Sequence, residues 1–166
     1  NKVNELENIK LDKMSLDLID KKLLMLLQAD SKKTTKELSM KLNLSVTAVY
    51  ERIKKLEREG IIENYVALLN RSKINKSFVV FCHIKLVQHT KEYLNTFENE
   101  VVQLQEVLEC FHVSGDYDYI LKVCLSSMEE YREFMVTKLT NLKHIGSTHS
   151  SFMISELKNS TQFELI

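Results

Sequence analysis

The segment from Ser45 to Gly60 constrains this chain most, because it encodes a helix with two chemically opposed faces and a marked start and stop. Val49, Ile53 and Leu56 recur about one turn apart. A step of about 100° per residue then places Thr47, Glu51, Lys54, Lys55 and Arg58 on the opposite face, with Tyr50 and Arg52 flanking the boundary. Ser45 is placed to cap the first turn, and Gly60 ends the helix. Such a helix buries one stripe and offers the other, so the neighbouring residues must supply something for the buried stripe to pack on.

The preceding residues supply it. Leu16, Ile19, Leu23, Leu26 and Leu27 form an apolar stripe at helical spacing, predicting a first helix to Gln28, and Ala29 to Lys33 is a polar turn. Thr34-Thr35-Lys36-Glu37 has the form of a capping box opening a second helix through Leu38 and Leu42. Asn43-Leu44-Ser45 is then a short turn into the third helix. Beyond Gly60, Ile61 to Leu69 is rich in Ile, Tyr and Val, with Glu63-Asn64 able to turn, and predicts a two-stranded wing. Three helices, a serine-capped turn and a wing predict a winged helix-turn-helix over residues 16–70, whose last helix enters the DNA major groove. The candidate DNA-contacting residues are Ser45, Thr47, Tyr50, Glu51, Arg52, Lys54, Lys55 and Arg58. Lysine and arginine neutralise phosphates or bond guanine edges, and Thr47 and Tyr50 lie near the helix start, where bases are read.

The second half has a different rhythm. After the polar segment Asn70 to Lys76, with residues 71–76 read as the linker, Phe78 to Leu86 is an apolar run suited to a central strand. Thr90 to Glu100 reads as a helix carrying Leu94 and Phe97. Val107 to Val113 and Tyr117 to Leu125 read as strands joined through Ser114-Gly115-Asp116. Ser127-Met128-Glu129-Glu130 is a second capping box, opening a helix through Tyr131, Phe134 and Leu139, and Ile145 to Leu157 reads as the last strand. The order βαββαβ predicts a ferredoxin-like sandwich of two helices on one face of an antiparallel sheet over residues 77–166, so the chain as a whole is α+β. The other sheet face needs a cover.

Composition narrows the setting. With 44% apolar and 28% charged residues the chain is ordinary for a packed globular protein. No run reaches the roughly 20 apolar residues of a membrane span, and residues 1–13 lack the apolar core of a signal peptide, so a cytoplasmic protein is expected. Residues 1–15 read as a flexible extension. Cys82, Cys110 and Cys124 are widely spaced within apolar runs and read as buried, reduced thiols. Net charge is zero, with 13 Lys+Arg against 11 Asp+Glu over residues 1–70, so any basic surface must be local.

The residues resemble the Lrp/AsnC family of feast/famine regulators. Leu16 to Leu24 is similar to its opening, and Lys36-Glu37-Leu38-Ser39 to its second helix. Leu44 to Ile62 follows its recognition helix and wing entry, and Gly115-Asp116-Tyr117-Asp118-Tyr119 stands where the family carries a Gly-Asp-Tyr-Asp-like turn. Two departures are visible. Val46 occupies the place of a frequent proline, and the family's glycine ahead of the first sheet strand is missing, with Asn75 near its place. The resemblance implies an ACT-like, ligand-binding and dimer-forming second domain whose sheets pack face to face. It also implies further assembly to octamers and a small-molecule effector, often an amino acid, bound between dimers. An amino acid needs acceptors for its ammonium, for which Asp116 and Asp118 are candidates. It also needs donors for its carboxylate, for which the candidates are the amides around Gly115 and Tyr117 and the hydroxyls of Ser147, Thr148 and Ser150.

Enzyme chemistry finds little purchase. Gly60, Gly115 and Gly146 stand alone rather than in a phosphate-binding loop, and no serine lies in a nucleophile elbow. His83, His89, His112, His144 and His149 include no HxxxH or CxxH pairing, so no metal site is expected unless strand neighbours converge. No cofactor is expected. The reading is a DNA-binding transcription regulator without catalytic residues. Its main alternative is an enzyme of the same two-domain architecture, a siroheme decarboxylase, and a further one is an effector-binding partner that has lost DNA contact.

Overall fold

The computed structural model describes residues 16–166, so the extension expected over residues 1–15 lies outside the described residues. The chain divides into two units, the first closing residues 158–166 onto the N-terminal helices and the second spanning residues 68–157.

In the first unit, α1 (Leu18–Ala29), α2 (Thr35–Leu42) and α3 (Val46–Arg58) each begin on a side-chain cap. The Asp17 carboxylate accepts from the Asp20 amide at 2.7 Å, and the Ser45 hydroxyl accepts from the Ala48 amide at 3.1 Å. At α2 the predicted capping box is complete. Thr34 Oγ1 accepts from the Glu37 amide at 3.2 Å while Glu37 Oε2 accepts from the Thr34 amide at 2.7 Å. Between α2 and α3, Asn43 takes the left-handed conformation (φ 55°), which lets the Leu44 amide reach back to the Ser39 carbonyl at 3.0 Å and turns the chain sharply into Ser45. Leu23, Leu24, Leu27, Leu38, Val49 and Leu56 are buried together, with Ile53 and Ile61 packed against them.

The end of α3 explains Gly60. With φ at +70°, its amide donates to the Glu57 carbonyl (3.1 Å) and the Ile61 amide donates to the Leu56 carbonyl (3.0 Å), two bonds that satisfy orphan carbonyls and bring Ile61 onto the core. The wing departs from expectation. Residues 63–69 form no strand, and Val66, Leu68 and Leu69 are exposed. A two-stranded ribbon without apolar cover is marginal in water. Residues 158–166 group with the first unit. The Gln28 side-chain amide accepts from the Phe163 N–H (2.7 Å) and donates to the Phe163 carbonyl (3.0 Å), and Leu165 packs on the helical core.

The second unit is the predicted sandwich. Its elements are β1 (Phe78–Leu86), α4 (Lys91–Val101), β2 (Val107–His112), β3 (Tyr119–Leu125), α5 (Met128–Thr137), a 3-10 turn (Leu139–Asn141) and β4 (Ile145–Phe152). The sheet order is β2-β3-β1-β4, with every pairing antiparallel. Alternation sorts the faces. Val80, Cys82, Ile84 and Leu86 of β1 and Tyr119, Leu121, Val123 and Leu125 of β3 pack under Phe97, Val101, Tyr131 and Phe134 of the two helices. The opposite face carries one cross-strand row, Phe111, Ile120, His83 and His149, and is not covered by a helix. Strand β4 ends at Phe152 rather than Leu157, and Ile154 and Leu157 are exposed.

Two local details follow from side-chain chemistry. Asn75 takes φ 55° ahead of β1, the left-handed conformation that asparagine tolerates better than most residues. At α5, Ser127 Oγ accepts from the Glu130 amide (3.2 Å), but Glu130 reaches one residue further back than a capping box requires. It accepts from the Ser126 hydroxyl at 2.5 Å and the Ser126 amide at 2.6 Å and pairs with Lys76 at 3.0 Å. These donors hold the Glu130 carboxyl down to about 2.

Two outcomes are expected. Gly60→Ala should destabilise the first unit by about 1–2 kcal/mol in urea unfolding, although a Cβ there meets nothing within 4 Å, because the left-handed backbone is the obstacle. Glu130 is depressed in the folded state, so its contribution is present above the free carboxylate value of about 4.3 and is lost as pH falls towards 2. Unfolding of the second unit followed against pH should show this loss, and Glu130→Gln should flatten it.

Candidate nucleic-acid and effector sites

One helical stripe of α3 faces solvent: Thr47, Tyr50, Glu51, Lys54 and Arg58 are all exposed, at spacings of three or four residues. Ser45 and Val46 continue it at the helix start, where Ser45 both caps the helix and remains exposed. Val46, half exposed, takes the frequent proline's place without disturbing the cap. The Lys54 ammonium lies 5.8 Å from the centre of the Tyr50 ring and 2.7 Å from Glu57 Oε2, and that carboxylate raises the lysine's pKa. Glu57 also accepts from the Tyr65 hydroxyl at 3.1 Å, which ties the segment after Gly60 to the helix.

Two of the expected DNA-contacting residues also pair with the start of α1. Arg52 Nη1 lies 2.6 Å from Asp20 Oδ1 and 2.7 Å from Asp17 Oδ2, so its guanidinium joins α3 to the start of α1. Lys55 turns the same way, with Nζ 3.8 Å from Asp20 Oδ2. That oxygen has no hydrogen-bond partner, so Lys55 acts on it through charge alone. Asp20 is 1% exposed, and isolated there its charge would be costly. The Asp20 amide and the Arg52 guanidinium both hold the Asp17 carboxyl below the usual carboxylate range. Asp20 escaped sequence reading, although its place one and two turns before the buried Leu24 and Leu27 marks it as inward-facing.

The expected effector residues divide. Gly115 (φ 127°) and Asp116 are exposed in the β2–β3 turn, closed by the Val113 amide on the Asp118 carbonyl at 2.9 Å. Asp118 is engaged within the fold, with Oδ2 accepting from the Leu86 amide at 2.7 Å and Oδ1 lying 2.9 Å from His89 Nε2. Tyr117 lies against His83 with the rings tilted and their centres 5.0 Å apart. On β4, Ser150 bonds the Tyr131 hydroxyl and, with Thr148, lies on the helix-covered side, whereas Ser147 alternates to the open face. Within one chain these hydroxyls are divided between the two faces of the sheet.

Residues 16–63 match the model of the winged helix-turn-helix DNA-binding domain, and residues 79–163 match that of the Lrp/AsnC ligand-binding domain. The chain belongs to the Lrp/AsnC family. The leucine-responsive regulatory proteins of Escherichia coli K12 and Klebsiella pneumoniae are each 37% identical to it over 147 residues, 89% of this chain and 90% of theirs. Among solved structures, a Neisseria meningitidis transcriptional regulator in complex with L-Met superposes with a TM-score of 0.86 at 31% identity, covering 90% of this chain and 97% of its own. An AsnC family regulator from Agrobacterium tumefaciens gives 0.86 at 34%, with the same coverage. This Lrp/AsnC protein is therefore a DNA-binding transcription regulator with an effector-modulated ligand-binding domain.

The two roles of basic residues on α3 separate by mutation. Arg52→Ala leaves Asp20 buried without its main partner and should cost about 3 kcal/mol or more of first-unit stability. Arg58→Ala should leave urea unfolding unchanged while weakening operator binding and lowering its salt slope by about one.

Proposed function

We propose that this regulator reads its operator through Thr47, Tyr50, Glu51, Lys54 and Arg58, with Ser45 at the helix start adding a backbone contact. The observation that carries the reading is the exposed stripe itself, presented at one-turn spacing behind a serine-capped turn. Lys54 and Arg58 supply phosphate or guanine contacts, and the polar groups near the N-terminal end face base edges. Arg52 and Lys55 set the angle of the helix from below.

The effector of this reading is an amino acid. A methionine complex and the leucine-responsive name among the relatives support that class. The exposed amides around Gly115, with Asp116 beside them, form the chain's own contribution, and Asp118 fixes the turn against β1. Because Ser147 does not converge with Thr148 and Ser150, the ligand sits where a second copy completes the pocket. The open sheet face pairs two chains, giving a two-fold dimer with two recognition helices, and such dimers assemble further, up to an octamer. The setting is the cytoplasm, and among the described residues no helix is long and apolar enough to cross a membrane. The decarboxylase alternative has no specific observation in its favour.

Titration against DNA from its own promoter region at two salt concentrations, with and without a pool of amino acids, tests this. Tight binding that weakens steeply with salt and shifts with the pool is expected. Salt-insensitive or absent binding, together with uptake of a tetrapyrrole, overturns the regulator reading in favour of the enzyme.

A further inference from the structure

The open sheet face brings together two histidines that sequence spacing could not pair. His83 of β1 and His149 of β4 are direct register partners, with ring centres 5.9 Å apart. His83 Nε2 points toward β4, 3.4 Å from Ser151 Oγ, and Tyr117 flanks both rings, with centres at 5.0 and 6.3 Å. Two imidazoles bound to one ion at about 2.0–2.1 Å have ring centres roughly 5–6 Å apart, so the pair already stands at chelating separation.

We propose that His83 and His149 form half of a divalent transition-metal site, which a second copy of this chain completes with the same pair. The inference rests on the face-to-face dimer reading above. Among the described residues, no single chain gathers three or more His, Cys, Asp or Glu that could hold a metal, so the site is incomplete without the copy. Strand β1 is interior to the sheet and His83 lies near the middle of its length, where a two-fold, sheet-on-sheet contact brings a residue close to its own counterpart. Facing sheets lie about 10 Å apart, a gap that imidazoles reaching from both sides span to a common ion. Phe111 and Ile120 continue the row with apolar surface that excludes water. Of the nearby charges, Lys122 is neutralised by Glu109 at 2.7 Å, and Lys85, two residues from His83, is exposed. Four neutral imidazoles suit Zn²⁺, Co²⁺, Ni²⁺ or Cu²⁺, and such a site would fasten edge strand β4 to β1 and one chain to the other.

Co²⁺ titration of the full chain, followed by its visible d–d absorption alongside sedimentation equilibrium in EDTA, tests both levels. The expected result is a dimer, or an assembly of dimers, in EDTA that takes up one Co²⁺ per two chains with the intense band of tetrahedral coordination. His83→Gln and His149→Gln should each abolish the band and remain dimeric, while His144→Gln, altering a histidine stacked on Tyr93 instead, should keep it. A dimer or assembly of dimers that takes up no Co²⁺, takes one per chain, or keeps its band in either glutamine variant overturns the shared site and leaves the dimer standing. A chain that is monomeric with and without Co²⁺ overturns the dimer reading, and the shared site with it.

Discussion

The contact on which the DNA-binding unit depends is the ion pair between Asp20 and Arg52. It joins α1 to α3 from beneath, 32 residues apart in sequence, with the carboxylate almost fully buried and the guanidinium also held by the cap residue Asp17. Apolar packing of Leu23, Val49 and Leu56 brings the two helices together but tolerates sliding, because dispersion and burial are not directional. A charged hydrogen bond at 2.6 Å tolerates much less. The pair therefore fixes the rotation of α3, and with it the residues that face outward. Lys55 adds charge to the same carboxylate, which explains why two basic residues of a basic helix are turned away from its exposed stripe.

A comparable division of labour governs the second unit. Asp118 ties the β2–β3 turn to the end of β1 through the Leu86 amide and His89, leaving Gly115 and Asp116 exposed on a turn whose base is rigid. The sheet has one helix-covered face and one open face, and each strand contributes to both by simple alternation. Consequently the serines and threonine of β4 serve different surfaces. Ser150 completes a buried polar contact with Tyr131, whereas Ser147, His149 and Ser151 join the open face.

Much of this was legible beforehand. The capping box at Thr34, the Ser45 cap, the glycine that ends α3 and the βαββαβ order stand as read, and at Ser127 the serine caps as expected while Glu130 bonds Ser126 instead of closing the box. The readings that shifted involve distant partners. The wing was inferred from β-branched composition, yet residues 63–69 lack a partner strand. The contact between Gln28 and Phe163, 135 positions apart, has no signal in the sequence. The helix step places Lys55 on the outer face and Arg52 at its boundary, and it does not reveal that both also approach a buried acid one helix away.

By itself, then, the sequence determined the elements, their ends, the fold class and the helix that would carry DNA contacts, since helix periodicity, strand alternation and capping chemistry are local rules. Only the tertiary structure decided which basic residues of that helix remain outward, which hydroxyls share a face and which histidines meet. Those outcomes turn on pair distances between residues far apart in the chain, and in a packed interior a displacement of a few ångströms exchanges a hydrogen bond for an orphaned charge.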